Sequence, residues 1–278
     1  MTGAVLPRPG EDFAGYGIRR VIGEGRTGVV YEVWHASVAR REAMKVIRPA
    51  TAASEALRRG FRERLALVGE LHPPNAVTIL DAGEEGGLPW CTMTLAGGAT
   101  LADELAEYPP RRYAAHEVLG VVHDIARALD ALHGARPPVV HRDIKPGNIA
   151  VRRDGTVFVE AVLIDFGTVG EAPSGAGGGG RIAGSPAYLA PEVALVGSAV
   201  PASDQYSLAC TAYEMLRGVR AYPSADLADV PRRRRPGPAG RGRAVDGVLR
   251  RALARDPAAR YPSCGAFADA LACALVQR

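Results

Sequence analysis

Two periodicities divide the chain. Through the first third, short β-branched and aromatic runs alternate with glycine- or proline-containing breaks, a pattern that predicts strands joined by turns. The runs are residues 16–22, 29–34, 43–47, 76–82 and 88–95. Between the third and fourth runs, Ser54 stands where a helix N-cap belongs. A helix is predicted from there to about Leu71, ended by His72, Pro73 and Pro74. From Gly97 onward the spacing lengthens. Val118, Val121, Val122, Ile125, Leu129 and Leu132 recur near the 3.6-residue period and predict a helix over 116–133. Strand-like stretches at 149–151 and 157–164 follow, then helix candidates at 204–216, 245–253 and 264–276. No internal repeat is visible. A β-rich third followed by a helical remainder predicts an α+β protein of two units, residues 1–95 and 96–278, with the boundary near 94–98.

Composition narrows the class more than the function. At 278 residues with 47% hydrophobic and 23% charged residues, the chain can bury a sizeable core and is not compositionally disordered. No apolar run approaches the roughly 18–20 residues of a membrane helix. The start, MTGAVLPRPG, lacks the basic and apolar regions of a signal peptide. Cys91, Cys210, Cys264 and Cys273 show no metal-ligand spacing and read as free thiols of a reducing compartment. A soluble cytoplasmic protein is therefore expected, with neither membrane nor nucleic acid as partner. The net charge of +4 is unevenly spread, because residues 231–260 hold ten arginines against Asp246 and Asp256. Within them Arg232, Arg233, Arg234 and Arg235 are consecutive. That run is either a solvated loop or a docking patch for an acidic partner.

The chemistry-bearing positions are ordered along this framework. Gly23, Gly25 and Gly28 form a G-x-G-x-x-G turn followed by a strand-like run, where missing Cβ atoms would let backbone N–H groups approach phosphates. A plain structural turn is the competing reading. Lys45 sits inside an apolar strand, either as a phosphate-holding ammonium or as an edge lysine reaching solvent. His141-Arg142-Asp143-Ile144-Lys145-Pro146-Gly147-Asn148 places a carboxylate, an ammonium and an amide within six residues, the equipment phosphoryl transfer asks for. Asp165-Phe166-Gly167 ends an apolar run with a hard oxygen ligand suited to Mg²⁺. Ala190-Pro191-Glu192 comes after an intervening loop.

Glycine turn, strand lysine, HRD-x₄-N, DFG and APE, in that order, resemble the eukaryotic-type (Hanks-type) serine/threonine protein kinases of bacteria over nearly the whole chain. The resemblance implies a bilobal α+β fold, with a small β-rich N-lobe carrying one main helix and a larger helical C-lobe. It implies ATP and Mg²⁺, or Mn²⁺ in its place, as cofactors and Ser/Thr-bearing proteins as substrates. Residue by residue it implies that Gly23, Gly25 and Gly28 cover the phosphates and that Lys45 contacts them. Asp143 would take the substrate proton, Lys145 would stabilise the transferring phosphoryl, and Asn148 and Asp165 would hold the metal. Ile22, Val30, Ala43 and Ala150 would enclose adenine beside the gatekeeper Met93 and the hinge residues Thr94, Leu95 and Ala96. Glu192 would pair with Arg260, Asp204 would brace the catalytic loop, and His141 and Phe166 would stack. Lys145 is the serine/threonine mark, and Ser185 would hydrogen-bond Asp143 and Lys145.

Three stretches depart from the family pattern. Counting nine residues back from His72 makes Glu63 the helix partner of Lys45, with Glu55 and Glu70 as alternatives, whereas the extra proline shifts the same count to Arg64. The segment between Gly167 and Ala190 is glycine-rich and offers Thr168, Ser174 and Ser185 as its Ser/Thr hydroxyls, so weak control by loop phosphorylation is expected. Residues 201–243 are short of the family's substrate-docking helix. A pseudokinase acting as a nucleotide-binding scaffold, or a small-molecule kinase, are the alternatives to an active protein kinase.

Overall fold

The structure is a computed structural model, described over residues 4–107, 112–166, 185–224 and 226–276. Contacts divide the chain into two units. The first is Met1–His72 with Val77–Ala96, and the second is Pro73–Ala76 with Gly97–Arg278.

The first unit is built on six antiparallel strands. They are β1 (Asp12–Phe13), β2 (Tyr16–Glu24), β3 (Gly28–His35), β4 (Arg40–Ile47), β5 (Ile79–Glu85) and β6 (Leu88–Thr94), in spatial order β1-β2-β3-β4-β6-β5. The two strands with the longest buried runs, β4 and β6, lie in the interior of the sheet; in β4 every residue from Ala43 to Ile47 is at most 6% exposed. Two helices, α1 (Pro49–Ala52) and α2 (Glu55–Leu71), cross between β4 and β5. Ser54 caps α2 by accepting from the Leu57 N–H at 3.3 Å. The helix buries Phe61, Leu65 and Val68 and ends where His72 turns left-handed (φ 43°).

The second unit opens with a small antiparallel sheet, β7 (Ala99–Thr100), β8 (Ile149–Asp154) and β9 (Val157–Leu163). Gly98 is required there: its φ is +93° and a Cβ would stand 2.1 Å from the Val151 carbonyl oxygen. The helices are α3 (Leu101–Glu107), α4 (Ala115–His133), α5 (Pro191–Val196), α6 (Pro201–Arg217), α7 (Arg243–Ala252) and α8 (Cys264–Val276). α6 is the axis of this unit, buried from Ser203 through Leu216 even where the residues are polar. α4 contributes the apolar face seen in the sequence, and its Asp130 caps α8 by accepting from the Cys264 and Gly265 N–H groups at 2.9 Å each.

Among the described residues no helix is long and apolar enough to cross a membrane. Between α6 and α7 the described residues form only a six-residue 3₁₀ turn, Leu227–Arg232, with Pro231 inside it. The absence of a regular helix there follows from the prolines at 223, 231, 236 and 238, which remove N–H donors.

Candidate active site

In the first unit, strand register collects the predicted nucleotide-side residues on one sheet face. Val30 is opposite Lys45, and Ala43 is opposite Met93. Directly opposed residues share a face and side chains alternate along a strand, so Val30, Ala43, Lys45 and Met93 lie on the same side. Gly23 joins them opposite Val30, and Ile22 is next to it, 37% exposed. β4 lies between β3 and β6, which rules out the edge-strand reading of Lys45; the residue is 6% exposed. Thr94 closes β6 by exchanging two hydrogen bonds with Thr78, and Leu95 follows half-buried.

The glycine turn is shaped from beneath by Arg48. Its amide donates to the Thr27 carbonyl at 2.8 Å, its Nε to the Gly25 carbonyl at 2.9 Å and a terminal nitrogen to Glu24 at 3.0 Å. Gly28 is the glycine that packing demands, since a Cβ there would stand 2.7 Å from the Val46 carbonyl oxygen.

Glu63 is not where the sequence count put it. Its side chain is 67% exposed and faces Arg59 at 3.8 Å on the outer side of α2. The reason is helical phase: two residues beyond Phe61 is a rotation of about 200°, away from the buried row Phe61, Leu65 and Val68. Arg64, the alternative count, is half-buried. Glu55 pairs with Arg58 and Arg62, whose hydrogen bonds and charges hold its carboxyl below the usual range, and Glu70 is exposed. Neither takes the place of Glu63 as a partner of Lys45.

In the second unit the catalytic loop hangs on one buried carboxylate. Asp204, 1% exposed in α6, accepts from the His141 N–H (2.6 Å) and the Arg142 N–H (2.8 Å). It also accepts from His133 Nε2 at 2.8 Å. Burial pushes the Asp204 carboxyl up, but the His133 hydrogen bond and charge, the His141 charge and the Arg142 amide outweigh it and hold it below the carboxylate range. Arg142 is thereby pinned with φ +75°, a region that non-glycine residues rarely occupy. His141 Nδ1 in turn accepts the Asp143 N–H at 3.3 Å, and its ring lies 6.2 Å from that of Phe166 at a tilted angle.

Three predicted residues then meet. Lys145 Nζ is 2.7 Å from Asp143 Oδ2 and 3.0 Å from Ser185 Oγ. Asn148, 7% exposed, donates through Nδ2 to the Asp143 carbonyl at 2.7 Å and to Oδ2 at 3.0 Å. Both side-chain bonds fall on Oδ2 and neither on Oδ1. Because the nitrogen of Asn148 is committed, its amide oxygen is the atom it can offer a cation. The Ile164 N–H donates to the Asn148 carbonyl at 3.0 Å, so the backbone just before Asp165 runs beside Asn148. An amide oxygen and a carboxylate are the hard ligands Mg²⁺ prefers. Ala150, 4% exposed, lies opposite Thr100 in the small sheet. Gly167, Thr168 and Ser174 lie outside the described residues.

A second donor cluster does not fit a metal. Asp130, His133 and Cys264 have donor atoms within 4.8 Å of one another. However, Asp130 caps α8 and His133 bonds Asp204, so two of the three side chains are already committed within the fold.

Beyond the loop, Glu192 and Arg260 form the expected ion pair, bidentate at 2.7 and 2.8 Å with the Arg260 side chain fully buried. Arg233, inside the four-arginine run, is half-buried and engaged within the fold. It donates to the carbonyls of Pro186 and Leu189 (2.8 Å for the latter) and lies over the Tyr222 ring at 4.4 Å. Nothing in the sequence distinguishes it from its three exposed neighbours. Glu214 was also missed, although a carboxylate in an otherwise apolar helical run is a legible signal. It accepts from the Tyr188 hydroxyl at 2.6 Å.

The family described as protein kinase domain matches residues 16–236. Serine/threonine-protein kinase PknI of Mycobacterium tuberculosis is 32% identical over 266 residues, covering 94% of this chain and 42% of the relative. Serine/threonine-protein kinase PknF of the same organism is 32% identical over 271 residues, covering 94% and 56%. The chain thus spans about half the length of the curated relatives it matches. A crystal structure of a double mutant of the Mycobacterium tuberculosis PknI kinase domain aligns with TM-score 0.80 and 30% identity, covering 98% of this chain and 100% of that one.

Proposed function

Since this chain belongs to the protein kinase family, we propose that it transfers the γ-phosphoryl group of ATP to serine or threonine hydroxyls of protein substrates. The observation that carries the reading is the double grip of Lys145 and Asn148 on one oxygen of Asp143. The Asp143 carboxylate takes the proton of the acceptor hydroxyl as its oxygen bonds to the γ-phosphorus, and the bond to the bridging oxygen breaks to release ADP. Lys145, bonded to Asp143 and Ser185, would stabilise the transferring phosphoryl group. Asn148 and Asp165 are the residues that would hold Mg²⁺ or Mn²⁺, which neutralises phosphate charge when bound. Gly23, Gly25, Gly28 and Lys45 would hold the phosphates, with Ile22, Val30, Ala43, Met93, Thr94, Leu95 and Ala150 around adenine. Serine/threonine rather than tyrosine specificity rests on Lys145 and on the named relatives. The four free cysteines fit a reducing cytoplasm, where ATP is plentiful.

Label transfer from γ-labelled ATP to a generic protein substrate, with either metal, tests the proposal; phosphoserine and phosphothreonine are the expected products. The outward position of Glu63 favours one second reading, a nucleotide-binding scaffold without turnover. Nucleotide binding without label transfer by the wild type would establish that instead.

A further inference from the structure

A cleft of about 450 Å³ lies wholly within the second unit, walled by α3, the catalytic loop and the segment around Ser185. One part of it is lined by Ser185 and by Lys145, whose Nζ also bonds the Asp143 carboxylate. Its other part is lined by Tyr188, Glu214 and Arg220. Glu214, the acidic residue of this lining, is already engaged on both oxygens. Oε2 takes the Tyr188 hydroxyl at 2.6 Å and Oε1 faces Arg220 Nε at 3.8 Å. Burial pushes the Glu214 carboxyl up, opposed by the Tyr188 bond and the Arg220 charge. Arg220 is the looser partner: its side chain is 53% exposed and 3.8 Å is the long end of ion pairing. More positive charge stands close by. Arg233, flanked in sequence by the exposed Arg232, Arg234 and Arg235, donates to the carbonyls of Pro186, which lines the cleft, and Leu189.

We propose that this cleft selects acceptor segments bearing an aspartate or glutamate near the phosphorylated residue, with Arg220 as the residue that reads the carboxylate. The inference rests on the kinase reading above and narrows its substrate class. An incoming carboxylate meets a half-exposed guanidinium that holds Glu214 only loosely. An incoming lysine or arginine meets that guanidinium as a like charge, over a carboxylate that already accepts from the Tyr188 hydroxyl and is paired with Arg220.

The test uses three peptides identical except for Glu, Ala or Arg at scanned positions around one serine. They are assayed for turnover and, by fluorescence anisotropy, for binding to the full chain. The wild type is expected to favour the best Glu peptide over its Arg counterpart by roughly tenfold in both assays. Normalised to each enzyme's own Ala peptide, Arg220→Ala collapses that ratio towards one, Arg220→Glu inverts it, and Arg220→Lys keeps most of it. Because the readout is a ratio, a general loss of activity or stability in a variant does not imitate the effect. Equal use of Glu and Arg peptides by the wild type, or an acidic preference unchanged in Arg220→Glu, overturns the inference while leaving the kinase reading intact. Failure of the wild type to phosphorylate any peptide overturns the kinase reading, and the anisotropy ratios then decide the cleft by themselves.

Discussion

Asp204→Asn isolates the device that holds the catalytic loop. The wild-type carboxylate is 1% exposed and accepts three hydrogen bonds, two on Oδ2 from the His141 amide and His133 and one on Oδ1 from the Arg142 amide. An asparagine keeps one acceptor oxygen and turns an NH₂ towards donors on its other side. One or two buried N–H groups then lose their partner, and a charge-assisted contact with His133 is gone. At about 1–3 kcal/mol for each buried unsatisfied donor, the loss is roughly 3–5 kcal/mol. The same substitution frees Arg142 from its left-handed conformation and shifts Asp143, so kcat is expected to fall about 100-fold, as for a misplacement near 1 Å. Guanidinium unfolding measures the first effect and steady-state phosphoryl transfer the second. The pH dependence has a definite sign. The Asp204 pKa is lowered in the folded protein, so its contribution is fully present above the unfolded carboxylate range and fades as pH falls through the folded value. The Asn variant is therefore weaker at neutral pH and lacks that component of the acid loss. An Asp204→Asn protein within about 1 kcal/mol of wild type, with undiminished kcat, would refute the bracing argument.

Three other substitutions test separate parts of the structure. Glu63→Ala should leave kcat within about twofold, because the side chain is exposed on the outer face of α2; steady-state kinetics beside Lys45→Ala, which should lose ATP turnover, checks it. Arg233→Ala removes two carbonyl contacts and the stacking on Tyr222, and should cost about 2 kcal/mol in thermal unfolding and raise KM for protein substrate more than KM for ATP. Gly28→Ala forces a Cβ towards the Val46 carbonyl and should cost about 1–3 kcal/mol with a raised KM for ATP.

What could be read from sequence follows from how local each signal is. The Ser54 cap, the strand around Lys45 and the apolar row of α4 are written in consecutive residues, and the structure holds them where the periodicity placed them. The catalytic loop was legible because its groups lie within six residues and meet through short bonds. Short elements escaped: β7 has two residues, and α3 at seven is too brief for a periodic signal. Glu63 failed for a different reason. The count back from His72 ignored the phase set by Phe61, Leu65 and Val68, which the same sequence also contains. Arg233 was beyond reach, since its clamp on Pro186 and Leu189 spans more than forty residues and its neighbours have the same side chain.

The central claim is that Asp143, held on Oδ2 by Lys145 and Asn148, takes the proton during phosphoryl transfer. Single-turnover label transfer from γ-labelled ATP by wild type and Asp143→Asn, with nucleotide affinity measured in parallel, tests it most directly. The account predicts a rate loss of about 100- to 10,000-fold in the variant with nucleotide affinity retained. An Asp143→Asn protein that phosphorylates its substrate at close to the wild-type rate would contradict it.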